Sequence, residues 1–146
     1  MEIYNYHNKQ LDAPPENVFK VVNDDAALKN VFGIIENIEY HSEKRRETGT
    51  KFRTTLKVAG KTYAFRSEIT DYVEARRIEV KSRLKQGTVV TQFTVVPVDT
   101  GSEITVKSHL EGSKKGAGII VGAMKPIINR VMKKELKKLE EEILNV

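Results

Sequence analysis

From Ile34 to Leu110 apolar and polar side chains alternate with a period of two, the mark of strands with one face in a core and one in water. Turn-forming residues divide this run into IIENIEYHSEK, TKFRTTLKV after ETG, KTYAFRSEITDY after an AGK turn, and RRIEVKSRL after a break near VEA. Two more strands follow, TVVTQFTVVPV after KQG and SEITVKSHL after DTG. Connections this short join antiparallel neighbours. Ahead of the run, EIYNYHNKQL alternates roughly and predicts a first strand, and LDAPPENVFKVVND changes to helical spacing. In that helix proline suits the first turn, Asp12 is placed to cap, and Val18, Phe19 and Val22 form an apolar stripe. A second short helix, DDAALKNVF, is expected to end at a left-handed Gly33. After EGSKKGAG a long helix runs from GIIVGAMKPIINRVMKKEL through LKKLEEEI. The order predicts an α+β fold of six or seven antiparallel strands whose apolar face only the last helix is long enough to cover. With no repeat or linker in its 146 residues, the chain is expected to be one domain, 1–146.

The alternation assigns the inward rows Phe52, Thr54, Leu56, Val58; Tyr63, Phe65, Ser67, Ile69; Ile78, Val80, Ser82, Leu84; Val89, Thr91, Phe93, Val95; and Ile104, Val106, Ser108, Leu110. The opposite faces run to charge. Each inward row carries a small hydroxyl residue, and a buried hydroxyl without a partner costs about 1–3 kcal/mol. Two readings follow: the hydroxyls bond within the sheet and let the helix come close, or they line a cavity that takes an amphipathic guest.

The long helix poses a second question. Gly118, Gly122 and Pro126 sit where a core helix would carry alanine or leucine. Either the helix bends between Gly122 and Pro126, or Pro126 opens the main helix and GAGIIVGA forms a separate turn. Ile120, Met124, Ile127, Ile128 and Val131 are the candidates to face the sheet. The softened segment reads as a gate that admits a ligand or as a means of close crossing.

Taken together, LDAPPENVFKVVND after the first strand, the GTKFR strand start, ITDYVEARRIEV and the apolar last helix after a glycine-rich entry resemble the START-related helix-grip superfamily (SRPBCC). That superfamily includes pollen-allergen-type proteins, lipid-transfer START domains and polyketide cyclase/dehydrase-like bacterial proteins. The resemblance implies a helix-grip fold, a curved sheet wrapped around the C-terminal helix, commonly enclosing a cavity. It constrains function far less than fold. On this reading Phe52, Thr54, Tyr63, Phe65, Ser67, Val80, Ser82, Thr91, Phe93, Ser108, Ile120, Met124 and Ile128 line a site for a small hydrophobic or amphipathic ligand, bound without catalysis. The rivals are a cyclase-like enzyme that uses polar cavity residues, and a protein-interaction module like the chaperone activator domains of this fold.

Composition narrows the chemistry. The content of 39% apolar and 31% charged residues is that of a folded soluble protein. The absence of cysteine excludes disulfides and thiolate chemistry. No stretch reads as an export signal or approaches a membrane span, so a cytoplasmic location is expected. His7, His41 and His109 lack metal-ligand spacing, and no nucleophile elbow, phosphate loop or dinucleotide fingerprint occurs, so no catalytic residue, metal or cofactor is assigned. An enzyme would have to draw on Tyr63 or His7 as acid or base; strand parity counted from Leu11 turns His7 inward, parity counted from Tyr4 and Tyr6 turns it outward. The net charge of +5 is modest. Lys44, Arg45, Arg46, Lys51, Arg53, Arg77, Lys81 and Arg83 are expected on the outer sheet, where the lack of interleaved aromatics argues against nucleic acid. Lys137 with Glu141 and Lys138 with Glu142 have the spacing of helical ion pairs.

Overall fold

The computed structural model describes residues 1–58, 60–112 and 115–146, without the side chain of Val58. The expected AGK turn, the inward placement of Val58 and the EGSKKGAG loop therefore fall partly outside the described residues. The alternating run forms β2 (Ile35–Tyr40), β3 (Lys51–Val58), β4 (Lys61–Val73), β5 (Arg77–Leu84), β6 (Gly87–Val98) and β7 (Gly101–Glu111). With β1 (Glu2–Leu11) they make one seven-stranded antiparallel sheet in the order β1-β7-β6-β5-β4-β3-β2. Helices α1 (Pro15–Val22) and α2 (Asp25–Val31) follow β1, and α3 (Ala117–Leu144) closes the chain. This is the helix-grip α+β fold.

Register confirms the inward rows. Phe52 lies opposite Ser67, Ser67 opposite Ser82, Ser82 opposite Val89 and Val89 opposite Leu110, one row that crosses five strands. On β1 the two ways of counting parity are reconciled by irregularities between Glu2 and Tyr4 and between Asn8 and Leu11. An extra residue at a bulge changes which face the following side chains occupy. Tyr4, Tyr6, Asn8 and Leu11 therefore pair with the inward residues Ser108, Val106, Ile104 and Ser102, while His7 pairs with Thr105 on the outer face.

The core forms where α1 and the second half of α3 meet the sheet. Val18 and Phe19 pack with Ile69, Ile78, Val95, Ile104 and Val106, and with Leu136, Leu139 and Ile143. The chain turns from β1 into α1 beneath the β6–β7 hairpin: a Cβ at Gly101 would stand 2.2 Å from the Leu11 carbonyl oxygen, so only glycine fits. Ser102 Oγ donates to the Ala13 carbonyl at 2.6 Å.

Three local expectations are corrected. Asp12 does not cap α1; Pro14 holds the N-cap position without a side-chain bond and Pro15 begins the helix, since a proline lacks the N–H a cap would satisfy. Helix α2 is capped by Asp24, which accepts from the Ala26 and Ala27 N–H groups, but it ends at Phe32, and Gly33 is not among the residues with positive φ. Helix α3 runs unbroken with Pro126 inside it, so Pro126 does not begin a separate helix.

Candidate functional site

Helix α3 is held at its second half. Besides its three core residues, Glu140 accepts hydrogen bonds from Tyr6 Oη through Oε1 and from Asn8 Nδ2 through Oε2. Both partners come from β1, more than a hundred residues earlier. Burial, then the hydrogen bond and charge of Glu140, raise the Tyr6 pKa, because ionising the phenol would set two anions side by side. Burial alone pushes Tyr4, one inward position away, up to about 12.

The first half of α3 is different. At about 100° per residue, the core row Leu136, Leu139 and Ile143 continues backward through Met132, Ile128, Lys125 and Val121. These four are half-buried. Of the residues expected to face the sheet, only Ile128 lies on that row; Ile120, Met124, Ile127 and Val131 stand off it and are exposed. The phase is set by the three buried leucine and isoleucine residues of the second half, a constraint that isoleucines on several sides of the first half conceal. Gly118 and Gly122 lie beneath Met1: a Cβ at Gly122 would be 3.4 Å from Met1 Cε, and one at Gly118 would be 4.0 Å from Met1 Sδ. Both are ordinary contact distances to the end of a flexible side chain, so the packing of Met1 does not require glycine at either position.

The inner face of the sheet opens in the same direction. Along β4 exposure rises from 3% at Ile69 through Ser67 and half-buried Phe65 to 51% at Tyr63, and along β5 from buried Ile78 to 37% at Leu84. On β6, Val95 is fully buried while Phe93, Thr91 and Val89 are half-buried. Phe52 and Val80 are half-buried, and Thr54 is buried. Of the thirteen candidate lining residues, the ten on the sheet thus share one face, with Ser108 under the closed side. Ile120 and Met124 stay exposed on α3. The part of α3 turned toward this face is the half-buried row of Ile128, Lys125 and Val121, and Ile120 and Met124 lie off it.

On this face of the sheet the hydroxyls bond in pairs, Ser67 Oγ with Ser82 Oγ at 2.8 Å and Thr91 Oγ1 with Ser108 Oγ at 3.0 Å. Each pair uses one of its two O–H donors and so keeps one for another acceptor. The hydroxyls thus bond within the sheet, the first of the two sequence readings. No carboxylate or histidine lies on the described inward sheet positions. His7 is on the outer face, 2.7 Å from Glu103, and Tyr63 is solvent-exposed at the rim.

Two concavities stand out. A groove of about 620 Å³ touches Phe52 and Ser67 but is lined mainly by outward residues, among them His41, Lys51, Arg66, Glu68, Lys81 and Arg83. There Arg53 lies opposite Arg66, and Arg66 opposite Arg83, a like-charge row across three strands. Arg45 and Arg46 do not join this outer cluster. Arg46 is drawn to Asp25 at 2.7 Å and Arg45 to the same carboxylate at 3.6 Å, both near the Tyr40 ring. A second cleft, of about 480 Å³, runs between β1 and α3 past Tyr4, Tyr6, Met132 and Leu136. On the helix surface Lys138 pairs with Glu135 at 3.6 Å rather than with Glu142. Among the described residues no three histidine, aspartate or glutamate side chains converge as metal ligands, and no helix is long and apolar enough to cross a membrane.

Tyr4, Tyr6 and Glu140 were not among the sequence candidates, although the shared parity of Tyr4 and Tyr6 already hinted at their inward face.

Comparison with known proteins places this architecture. None of the curated proteins matches the sequence significantly. The fold is similar to TTHA0849 from Thermus thermophilus, at 20% identity and a TM-score of 0.72, over 99% of this chain and 98% of that one. It is equally similar to Ara h 8.0201, at 21% identity and a TM-score of 0.71, over 98% and 99%. The di-domain ARO/CYC protein StfQ of the steffimycin biosynthetic pathway matches at 9% identity and a TM-score of 0.75, over 99% of this chain and 52% of its own length. The model of the family described as polyketide cyclase / dehydrase and lipid transport matches residues 6–143. Nearly the whole helix-grip unit is thus covered, and the chain belongs to the polyketide cyclase/dehydrase and lipid transport family.

Proposed function

We propose that this protein binds and carries, without catalysing a reaction, a small hydrophobic or amphipathic molecule of lipid-like or aromatic character in the hollow between the inner sheet and the first half of α3. The observation that carries the reading is the matched loss of burial on both walls. Toward the same end, sheet residues pass from buried Ile69, Ile78 and Val95 to open Tyr63 and Leu84, and the sheet-facing row of α3 passes from buried Ile143, Leu139 and Leu136 to half-buried Ile128, Lys125 and Val121. Apolar walls that face each other without meeting are stabilised by a guest that removes both from water, at about 25 cal/mol per Å². The spare O–H donors of the Ser67–Ser82 and Thr91–Ser108 pairs would receive a polar end. The family description covers cyclases as well as lipid transport. Described inward positions without a carboxylate or histidine favour binding over proton transfer.

Titration with the fluorescent probe 8-anilinonaphthalene-1-sulfonate tests the reading. Phe93→Ala and Met124→Asp, each with an unchanged circular dichroism spectrum, are expected to weaken binding about tenfold, equivalent to about 1.4 kcal/mol. Unchanged affinity in both variants would place the probe elsewhere and refute the lining.

A further inference from the structure

The side of α3 that faces neither the sheet nor the hollow has an unusual makeup. Ile119 is 80% exposed and Ile127 62%, the two most exposed large apolar side chains among the described residues, with Ala123 and Pro126 exposed between them. About the helix axis they point away from the row of Ile128, Met132 and Leu136. Neither the core nor the proposed ligand accounts for them.

Charge singles out the same segment. Residues 112–134 contain Lys114, Lys115, Lys125, Arg130, Lys133 and Lys134 and no acidic residue, whereas the chain as a whole carries only +5. The remainder of the chain is therefore slightly acidic on balance. None of Lys115, Lys125, Arg130, Lys133 and Lys134 forms an ion pair among the described residues. The first turn of α3 has no acidic residue and its N-cap, Gly116, offers no side-chain bond, so the positive end of the helix dipole adds to this field.

We propose that the first half of α3 docks on an anionic lipid bilayer, with Ile119 and Ile127 entering the acyl boundary and Lys115, Arg130, Lys133 and Lys134 meeting headgroup phosphates. Exposed apolar side chains rimmed by cations on one helix are the requirements for lying in a membrane interface. The other occupants fit less well. A symmetric second copy would set the same cations against themselves. Nucleic acid would engage the charges but has no use for the isoleucines, and residues 112–134 contain no aromatic for base stacking.

Vesicle co-sedimentation of the full chain tests the proposal, with phosphatidylcholine vesicles and with vesicles containing about 30% phosphatidylglycerol. Binding to the anionic vesicles only, reduced at least tenfold by Ile119→Asp with Ile127→Asp and by raising salt, is the expected result. Both positions are exposed, and an unchanged circular dichroism spectrum checks the fold. Three results would overturn it: no binding to anionic vesicles at low salt; binding that survives the isoleucine changes but is lost in Arg66→Glu with Arg83→Glu, which assigns it to the outer sheet; and capture by poly-glutamate or RNA without vesicle binding.

Discussion

Glu140 is the clearest place to test how α3 is held. Replacing it with alanine removes the acceptor of Tyr6 Oη and of Asn8 Nδ2 together and leaves two donors at a partly buried position. A hydrogen bond to a charged group contributes about 1.5–3 kcal/mol when well shielded. The site is part-buried and water will reach the freed donors, so the loss is placed at or below the low end of the two-bond sum of about 3–6 kcal/mol, at about 2–3 kcal/mol. For a chain of this size that corresponds to a fall in Tm of roughly 5–10 °C. Urea unfolding of the wild type, Glu140→Ala, Tyr6→Phe and the double variant forms a cycle that isolates the pair, with an expected coupling of about 1 kcal/mol. Because Glu140 raises the Tyr6 pKa, ultraviolet titration of Glu140→Ala should show one tyrosine ionising at lower pH than in the wild type. A coupling within about 0.3 kcal/mol of zero, with unchanged tyrosine titration, would show that this contact does not hold the helix.

Three further outcomes are expected. Gly122→Ala should stabilise the protein by about 0.5–1 kcal/mol, because the new Cβ meets Met1 at an ordinary contact distance while helix propensity improves; thermal unfolding reads the sign. Glu135→Leu should raise stability by about 1–3 kcal/mol in urea unfolding, since Glu135 Oε2 is buried without a partner and the residue's only ion pair among the described residues is the one with Lys138. At alkaline pH, stability should fall from near pH 10 upward: the unfolded chain loses its Tyr4 proton there, while the folded chain keeps it until about pH 12. The limiting slope from Tyr4 is about 1.4 kcal/mol per pH unit, and Tyr4→Phe should flatten it.

Where one rule acts locally, the sequence was readable. Alternation alone placed Phe52, Ser67, Ser82 and Val89 on one face, because a period of two leaves no choice once the turns are found. The β1 bulges defeated the same rule: one irregularity between Asn8 and Leu11 reversed the parity that His7 would otherwise have shared with Leu11. The phase of α3 was missed because its first half carries isoleucines on several sides, while the residues that fix its rotation lie beyond Pro126. Nothing near Glu140 in sequence points to Tyr6 or Asn8, since that contact exists only once the sheet has brought β1 beside α3. The hydroxyl band was legible as residue type, but its cross-strand pairing needed the register.

The central claim is that the open hollow retains an apolar guest, and native mass spectrometry of freshly purified protein measures this most directly, compared with the denatured mass and followed by organic extraction. The account predicts a discrete added mass that denaturation removes, extractable as a hydrophobic or amphipathic compound and diminished in Phe93→Ala. Protein that stays at its bare mass, and gains none after incubation with fatty acids and aromatic polyketides that the hollow could hold, would contradict it.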